Sequence, residues 1–218
     1  MNELTKRLIT SFFLFPIVIL SIYYSGLYLI VLLVIFYLIC IYEILKNCKD
    51  FRFNFFSSLI LMFSFYSLFY LRGTTELSFI FLLWVLVSTF LSDIGGYVVG
   101  KAIGGKKITR ISPNKTYAGV IGSVIFCLTA IPIIEITQKF LISEIFINFL
   151  SVKFFITGLT ISIICQLGDL YISYLKRKLN IKDVSNILPG HGGVLDRIDG
   201  LIFVLIFIFI LQKNIIFY

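Results

Sequence analysis

Three aspartates flank two apolar runs near the C-terminal end of the sequence. The segment Gln166 to Gly200 reads QLGDLYISYLKRKLNIKDVSNILPGHGGVLDRIDG and is the densest polar stretch in the chain. Asp169 directly follows one apolar run, while Asp196 and Asp199 directly precede another. Folding those runs side by side brings three carboxylates together at one face of a membrane. The spacing of three also puts Asp196 and Asp199 on one side of a helix start. Carboxylates clustered there repel one another and lose hydration, so a divalent cation is the natural counter-charge. Mg2+ suits the role, because it takes a few carboxylates together with water and phosphate oxygens. The competing reading is that Asp196 or Asp199 only caps the last helix.

Phosphate-binding groups surround these acids. Lys176, Arg177, Lys178 and Lys182 lie between them, followed by the turn His191-Gly192-Gly193. Glycines let backbone N–H groups approach phosphate oxygens, and His191, the only histidine, can donate to a phosphate or carry a proton. Lys178 reads as a topology marker that touches lipid headgroups. A second polar stretch, SDIGGYVVGKAIGGKKITRISPNKTYAG, runs from Ser92 to Gly119. Its Asp93 is a costly charge at the end of an apolar run. Ser112, Lys115 and Thr116 offer hydroxyl and ammonium groups in one turn, with Lys115 as a phosphate clamp. Gly95 to Lys101 fits the spacing of a nucleotide-binding P-loop, but Ala102 stands where a metal-binding Ser or Thr is required, so that site is excluded. Gly96, Gly100 and Gly104 recur every four residues, which predicts close helix packing.

The elements that position these groups follow from composition. Of 218 residues, 59% are apolar and 14% charged, and the mean hydropathy is +1.03. Soluble domains have roughly half and a quarter, so a water-soluble globule is excluded. The chain reads as an all-α, polytopic integral membrane protein of about seven transmembrane helices, with a range of seven to nine. The runs are Leu8 to Ser25, Leu27 to Tyr42, Phe55 to Leu71, Leu77 to Ser92, Tyr117 to Ile136, Val152 to Leu167 and Leu201 to Phe217. Ile94 to Gly104 and Ile142 to Leu150 are short stretches that could raise the number. Lys6 and Arg7 precede the first run as in a signal peptide, but no small-residue cleavage site follows it, which predicts a retained helix. With the N-terminus inside, fifteen of the nineteen Lys and Arg fall on one side, in the N-terminus and the loops 43–54, 93–116 and 168–200. That asymmetry marks the side as cytoplasmic. Residues 1–92 form N-terminal membrane helices and 93–218 the catalytic region of one continuous membrane domain. Cys40, Cys48, Cys127 and Cys165 are scattered without metal-ligand spacing.

The motifs resemble a known family. Ser173-x-Leu175-Lys176-Arg177, Lys182-Asp183-x-Ser185 and Leu188-Pro189-x-His191-Gly192-Gly193-Val194-x-Asp196-Arg197-Ile198-Asp199 are similar to the signature of the phosphatidate cytidylyltransferases, the CDP-diacylglycerol synthases. The SDIGGY, SPNKT and QLGDL segments look like further blocks of that family. The resemblance implies cytidylyl transfer from CTP to phosphatidate with release of pyrophosphate. It also implies Mg2+ (or Mn2+) at Asp169, Asp196 and Asp199, with room for a second cation. Two departures stand out: Tyr117 and Ala118 replace the family's usual Trp-Glu, and the N-terminal part is short.

On this reading Asp169, Asp196, Asp199 and Lys115 are catalytic. Asp93, Ser112, Thr116, Lys176, Arg177, Lys182, Asp183, His191, Gly192, Gly193 and Arg197 join Lys115 in substrate binding. CTP, phosphatidate and membrane lipids are the partners, nucleic acid is not expected, and a homodimer is one assembly open to the chain. The expected location is the bacterial inner membrane, with the site facing the cytoplasm. Two rivals are a CTP-dependent polyprenol or phytol kinase, which would move the γ-phosphate, and a cation or proton transporter lined by Asp93 and Asp169. The intact signature opposes the first. Polar residues gathered at helix ends rather than across the midplane oppose the second.

Overall fold

A helix crossing about 30 Å of hydrocarbon needs about 20 residues, and the apolar runs supply them. The computed structural model describes residues 3–109, 112, 115–141, 147–181, 183–190 and 192–215. These form seven helices: α1 (Glu3–Tyr24), α2 (Gly26–Asn47), α3 (Phe51–Arg72), α4 (Glu76–Ile103), α5 (Tyr117–Leu141), α6 (Val152–Lys178) and α7 (Leu195–Ile215). Five of them, α2 to α6, are long and apolar enough to cross a membrane. Among the described residues there is no strand, only isolated bridges at Lys107–Thr116 and Leu188–Gly192. The protein is therefore an all-helical integral membrane protein.

Local chemistry sets the helix ends. Asp50 starts α3 by accepting from the Arg52 N–H at 2.9 Å, and Thr75 starts α4 by accepting from Ser78 at 3.1 Å. Gly104 ends α4 at φ +67°, a conformation that suits a residue without Cβ. Gly104 therefore terminates the helix instead of packing it, unlike Gly96 and Gly100. The short stretch from Ile94 continues α4 to 28 residues and is not a separate span. The division expected after residue 92 falls inside this same helix. Of the other short stretch, 142–146 lie outside the described residues, and 147–150 form a turn that buries Phe149 against Trp84 and Phe154.

The helices leave two polar poles. At one, the Arg72 guanidinium donates to the Ile22 and Tyr23 carbonyls that end α1 and lies 5.1 Å over the Phe79 ring. Gln138 and Glu135 of α5 satisfy the backbone of Ile147 and Phe149 at the same pole. The opposite pole holds the ends of α2, α4 and α6, the starts of α5 and α7, and the two long polar loops.

The closest helix pair is α4 with α5, and small residues make it so. A Cβ on Gly95 would lie 2.5 Å from the Gly122 carbonyl oxygen, and one on Gly122 would lie 2.7 Å from that of Gly95. Gly119 would meet the Gly96 carbonyl oxygen at 2.8 Å. Without lipid-excluding pressure between helices, such contact supplies the packing attraction. Gly122→Ile should thus push α4 and α5 apart and cost at least about 1–3 kcal/mol, the usual penalty of overpacking. Thermal unfolding in detergent should show a clearly lowered midpoint, and an unchanged midpoint would contradict the packing.

Candidate active site at the loop pole

Helix backbones meet again where the acids lie. A Cβ on Gly168 of α6 would come within 2.6 Å of the Phe203 ring and 3.3 Å of the Asp199 carbonyl, and one on Gly200 of α7 within 2.6 Å of Cys165 Sγ. Each of these glycines adjoins an aspartate, Asp169 and Asp199. Close approach of α6 and α7 therefore carries the two carboxylates together. Asp93 joins from α4, accepting the thiol hydrogen of Cys165 at 3.2 Å. Asp93, Asp169 and Asp199 are near enough to act on one another electrostatically.

One cation already sits in this group. The Lys115 ammonium lies 2.5 Å from Asp169 Oδ2 and donates to the Gln166 carbonyl at 3.4 Å. The other Asp169 oxygen accepts from Ser173 at 3.3 Å. Lys115 reaches this position because the loop before α5 is folded back on itself. Ile108 N–H donates to the Lys115 carbonyl, and Lys115 N–H to that of Ser112.

Asp196 does something else. Its Oδ2 accepts from the backbone of Val184 at 2.9 Å and of Gly193 at 3.1 Å, while Oδ1 accepts from Lys176 Nζ at 2.8 Å. Among the described residues no three His, Cys, Asp or Glu side chains converge tightly enough to hold one ion. Through these bonds Asp196 holds the signature loop, while Asp93 stands with Asp169 and Asp199.

The Gly192 and Gly193 amides, expected to cradle phosphate, donate to the Leu188 carbonyl and to Asp196. Glycine is required there for shape and clearance: Gly192 has φ +88°, and a Cβ on Gly193 would lie 2.9 Å from Glu43 Oε1. Thr116, expected to meet substrate, is buried and caps α5 by accepting from Gly119 N–H at 3.1 Å. Ser112 is half-buried and donates its N–H to Thr109 Oγ1. Arg177, Asp183 and Arg197 are exposed at this pole, with Arg177 donating to the Ile181 carbonyl. Lys182 and His191 lie outside the described residues.

Sequence reasoning missed Glu43. It is fully buried at the end of α2 and accepts from Ser185 Oγ at 2.6 Å and from the amides of Val194 and Leu195 at 2.9 Å each. Its one mark in the sequence was a charge directly after an apolar run, Leu27 to Tyr42. An apolar cavity of about 370 Å3 opens beside the same loop between α1, α2, α3, α4 and α7, with Arg197 the one charged residue on its wall.

Residues 46–214, well over half of the chain, match the profile described as the cytidylyltransferase family. The chain is 36% identical over 142 residues to a phosphatidate cytidylyltransferase of Bacillus subtilis (strain 168), covering 65% of this chain and 50% of that protein. It is 42% identical over 111 residues to one of Rickettsia bellii, covering 50% and 48%, and 39% identical over 123 residues to one of Helicobacter pylori, covering 56% and 43%. The chain thus spans about half the length of the curated relatives it matches.

The loop-folding role of Asp196 is measurable apart from activity. Lys176→Met and Asp196→Asn should each lower stability, and the double variant should be milder than the sum of the two. The coupling should be about 1–3 kcal/mol, as for contacting residues in one network. Simple additivity in detergent unfolding would sever the pair from the loop.

Proposed function

The chain belongs to the cytidylyltransferase family, and on that premise we propose that it transfers CMP from CTP to phosphatidate, giving CDP-diacylglycerol and pyrophosphate. The observation that carries the reading is the juxtaposition of Asp93, Asp169 and Asp199 with Lys115 at the helix ends of one polar pole. Charge compensation at that pole is what a reaction between two phosphate anions demands.

The fit to a divalent cation rests on the donors. Asp169 and Asp199 offer hard oxygens, and the Lys115 ammonium already occupies a cation position on Asp169. Two carboxylates with phosphate oxygens completing the shell suit Mg2+ better than an all-protein cage. Asp169 and Asp199 would hold it, with Asp93 adding negative charge behind them. Once bound, its chemistry is to neutralise the phosphates in the transition state.

The protein's own groups do the rest. A phosphatidate phosphate oxygen forms the new bond to the α-phosphorus of CTP, and the bond to the β-phosphate oxygen breaks. Lys115 meets phosphate as its hold on Asp169 is released. Arg197 lies where the lipid phosphate enters, bidentate if it uses the planar guanidinium, and the acyl chains extend into the apolar cavity beside it. Lys176 acts through Asp196 on the loop. His191 orients a phosphate and is not needed as a base, because a phosphate monoester dianion is itself nucleophilic.

All seven helices cross the bilayer on this reading, and the loop pole faces the cytoplasm of a bacterium, the side to which the sequence order assigns fifteen of the nineteen cations. A cysteine introduced at Asn186, which is exposed, should react with an impermeant thiol reagent only when the cytoplasmic side is opened. Labelling from the outside of intact cells would reverse the topology.

The reading is tested by incubating purified protein with phosphatidate and CTP labelled at either the α- or the γ-phosphate. Label should enter lipid from the α-position alone, whereas entry from the γ-position would make the protein a lipid kinase. Light scattering of the same preparation reads its assembly, monomer or homodimer. Asp169→Asn and Asp199→Asn should each lower turnover by at least a hundredfold at ordinary Mg2+, and the double variant should be hardly worse, since groups acting as one unit are non-additive. Lys115→Ala should fall similarly while still inserting in the membrane.

A further inference from the structure

We infer that Glu43 is a positioning residue for the proposed transfer, a buried anchor on α2 that fixes the signature loop and the first turn of α7. The inference rests on the cytidylyl-transfer reading for its kinetic consequence and on geometry alone for its structural one.

Glu43 has no accessible surface, and the ion pairs formed among the described residues, Lys115–Asp169 and Lys176–Asp196, do not include it. A carboxylate buried without a cation is costly unless donors surround it, and here three do. Ser185 Oγ and Val194 N–H both donate to Oε1, and Leu195 N–H donates to Oε2. Ser185 also accepts from Ile187 N–H at 3.2 Å, so its own hydrogen is directed to Glu43.

These donors come from both sides of the Pro189-Gly190 turn, which makes Glu43 a clamp across the loop rather than a cap on one end. Asn47, one turn further along the same face of α2, reinforces it by donating to the Val184 carbonyl at 2.7 Å. Asp196 takes the Val184 N–H from the other side. Val194 and Leu195 are the residues at which α7 begins, and Asp199 follows one turn later. The orientation of that turn, and so the placement of Asp199 beside Asp169, is referred to α2. The favourable sign of a carboxylate at a helix N-terminus holds the same contact.

Glutamine is the discriminating substitution, since it keeps the volume but not the acceptor pattern. Oε1 can still accept two hydrogens, yet the amide nitrogen then faces Leu195 N–H, donor against donor. Glu43→Gln in the full-length protein should retain its fold, read by the intact thermal transition. Its kcat/KM for CTP in phosphatidate micelles should fall about 10–100-fold, the range for residues that orient an active shell. The Mg2+ concentration for half-maximal rate should also rise. Hydrogen exchange of the 184–195 peptide should quicken while helices α4 and α5 stay protected.

A loss of activity matched by an equal loss of folded protein, with kinetics of the folded fraction unchanged, would overturn the inference. So would wild-type exchange in the loop. If the wild-type chain transfers no cytidylyl group, the proposed function fails and the exchange measurement alone decides the anchor. Should Glu43→Gln not fold, Ser185→Ala removes only one donor and should move rate, Mg2+ dependence and exchange in the same directions by less. No movement in any of the three would overturn the clamp.

Discussion

Two helix backbones touch only where neither carries a side chain in the way, and the loop pole depends on that constraint. Gly95, Gly96 and Gly100 on α4 meet Gly119 and Gly122 on α5, and Gly168 on α6 meets α7 near Gly200. Every one of these contacts lies toward the pole that carries the acids. The first set brings the loop before α5, and with it Lys115, alongside α6. The second brings Asp169 and Asp199 to one level. In lipid no hydrophobic pressure drives helices together, so the van der Waals contact available at glycine is what holds charged groups of like sign close enough to share one counter-charge.

The charges then divide into two kinds by what surrounds them. Glu43 and Asp196 each take three hydrogen donors, from the loop, the start of α7 and, for Asp196, Lys176 of α6, and their negative charge holds backbone amides that would otherwise be unpaired. Asp93, Asp169 and Asp199 are less completely satisfied, with thiol, hydroxyl and a single ammonium among their partners. The first pair makes the shape of the loop. The second group keeps more of its acceptor capacity. A polar region inside a membrane protein can be stable and still leave acceptors free only when those two tasks fall on different residues.

The legible part of this arrangement is the part with a local pattern. Apolar runs predicted all seven helices, and Gly96 and Gly100 marked a packing face by their spacing. Asp169 and Asp199 were readable because each stands at the end of an apolar run beside a polar block. What stayed illegible was anything decided by partners far along the chain. Glu43 reaches residues more than 140 positions away, and no spacing rule connects them. Asp196 and Asp199 share one side of a helix start, so spacing alone could not tell that one faces the loop amides and the other α6. Gly192 and Gly193 carried the right composition for a phosphate cradle, and only the hydrogen bonds reveal that their amides are already used. Gly104 continued a four-residue rhythm but ended the helix at positive φ, with nothing within 4 Å of a Cβ placed there.

That last set of bonds bears on how phosphate is recognised. A helix start near a glycine-rich turn is ordinarily an anion site, since its amides point outward unpaired. At α7 the amides of Gly193, Val194 and Leu195 are all directed at carboxylates of the protein itself. A phosphate placed there would have to displace a bonded acid, and two negative groups would compete for the same donors. Under the proposed reaction, recognition of phosphate therefore falls to side-chain cations, and of these Lys115 is already paired to an acid. Its bond to Asp169 would then couple a cation's charge to a phosphate's: an arriving cation would weaken the claim of Asp169 on Lys115, and an arriving phosphate that of Lys115 on Asp169. Each would make the other's binding easier, so the ion pair would favour a site that is either closed on itself or filled by both.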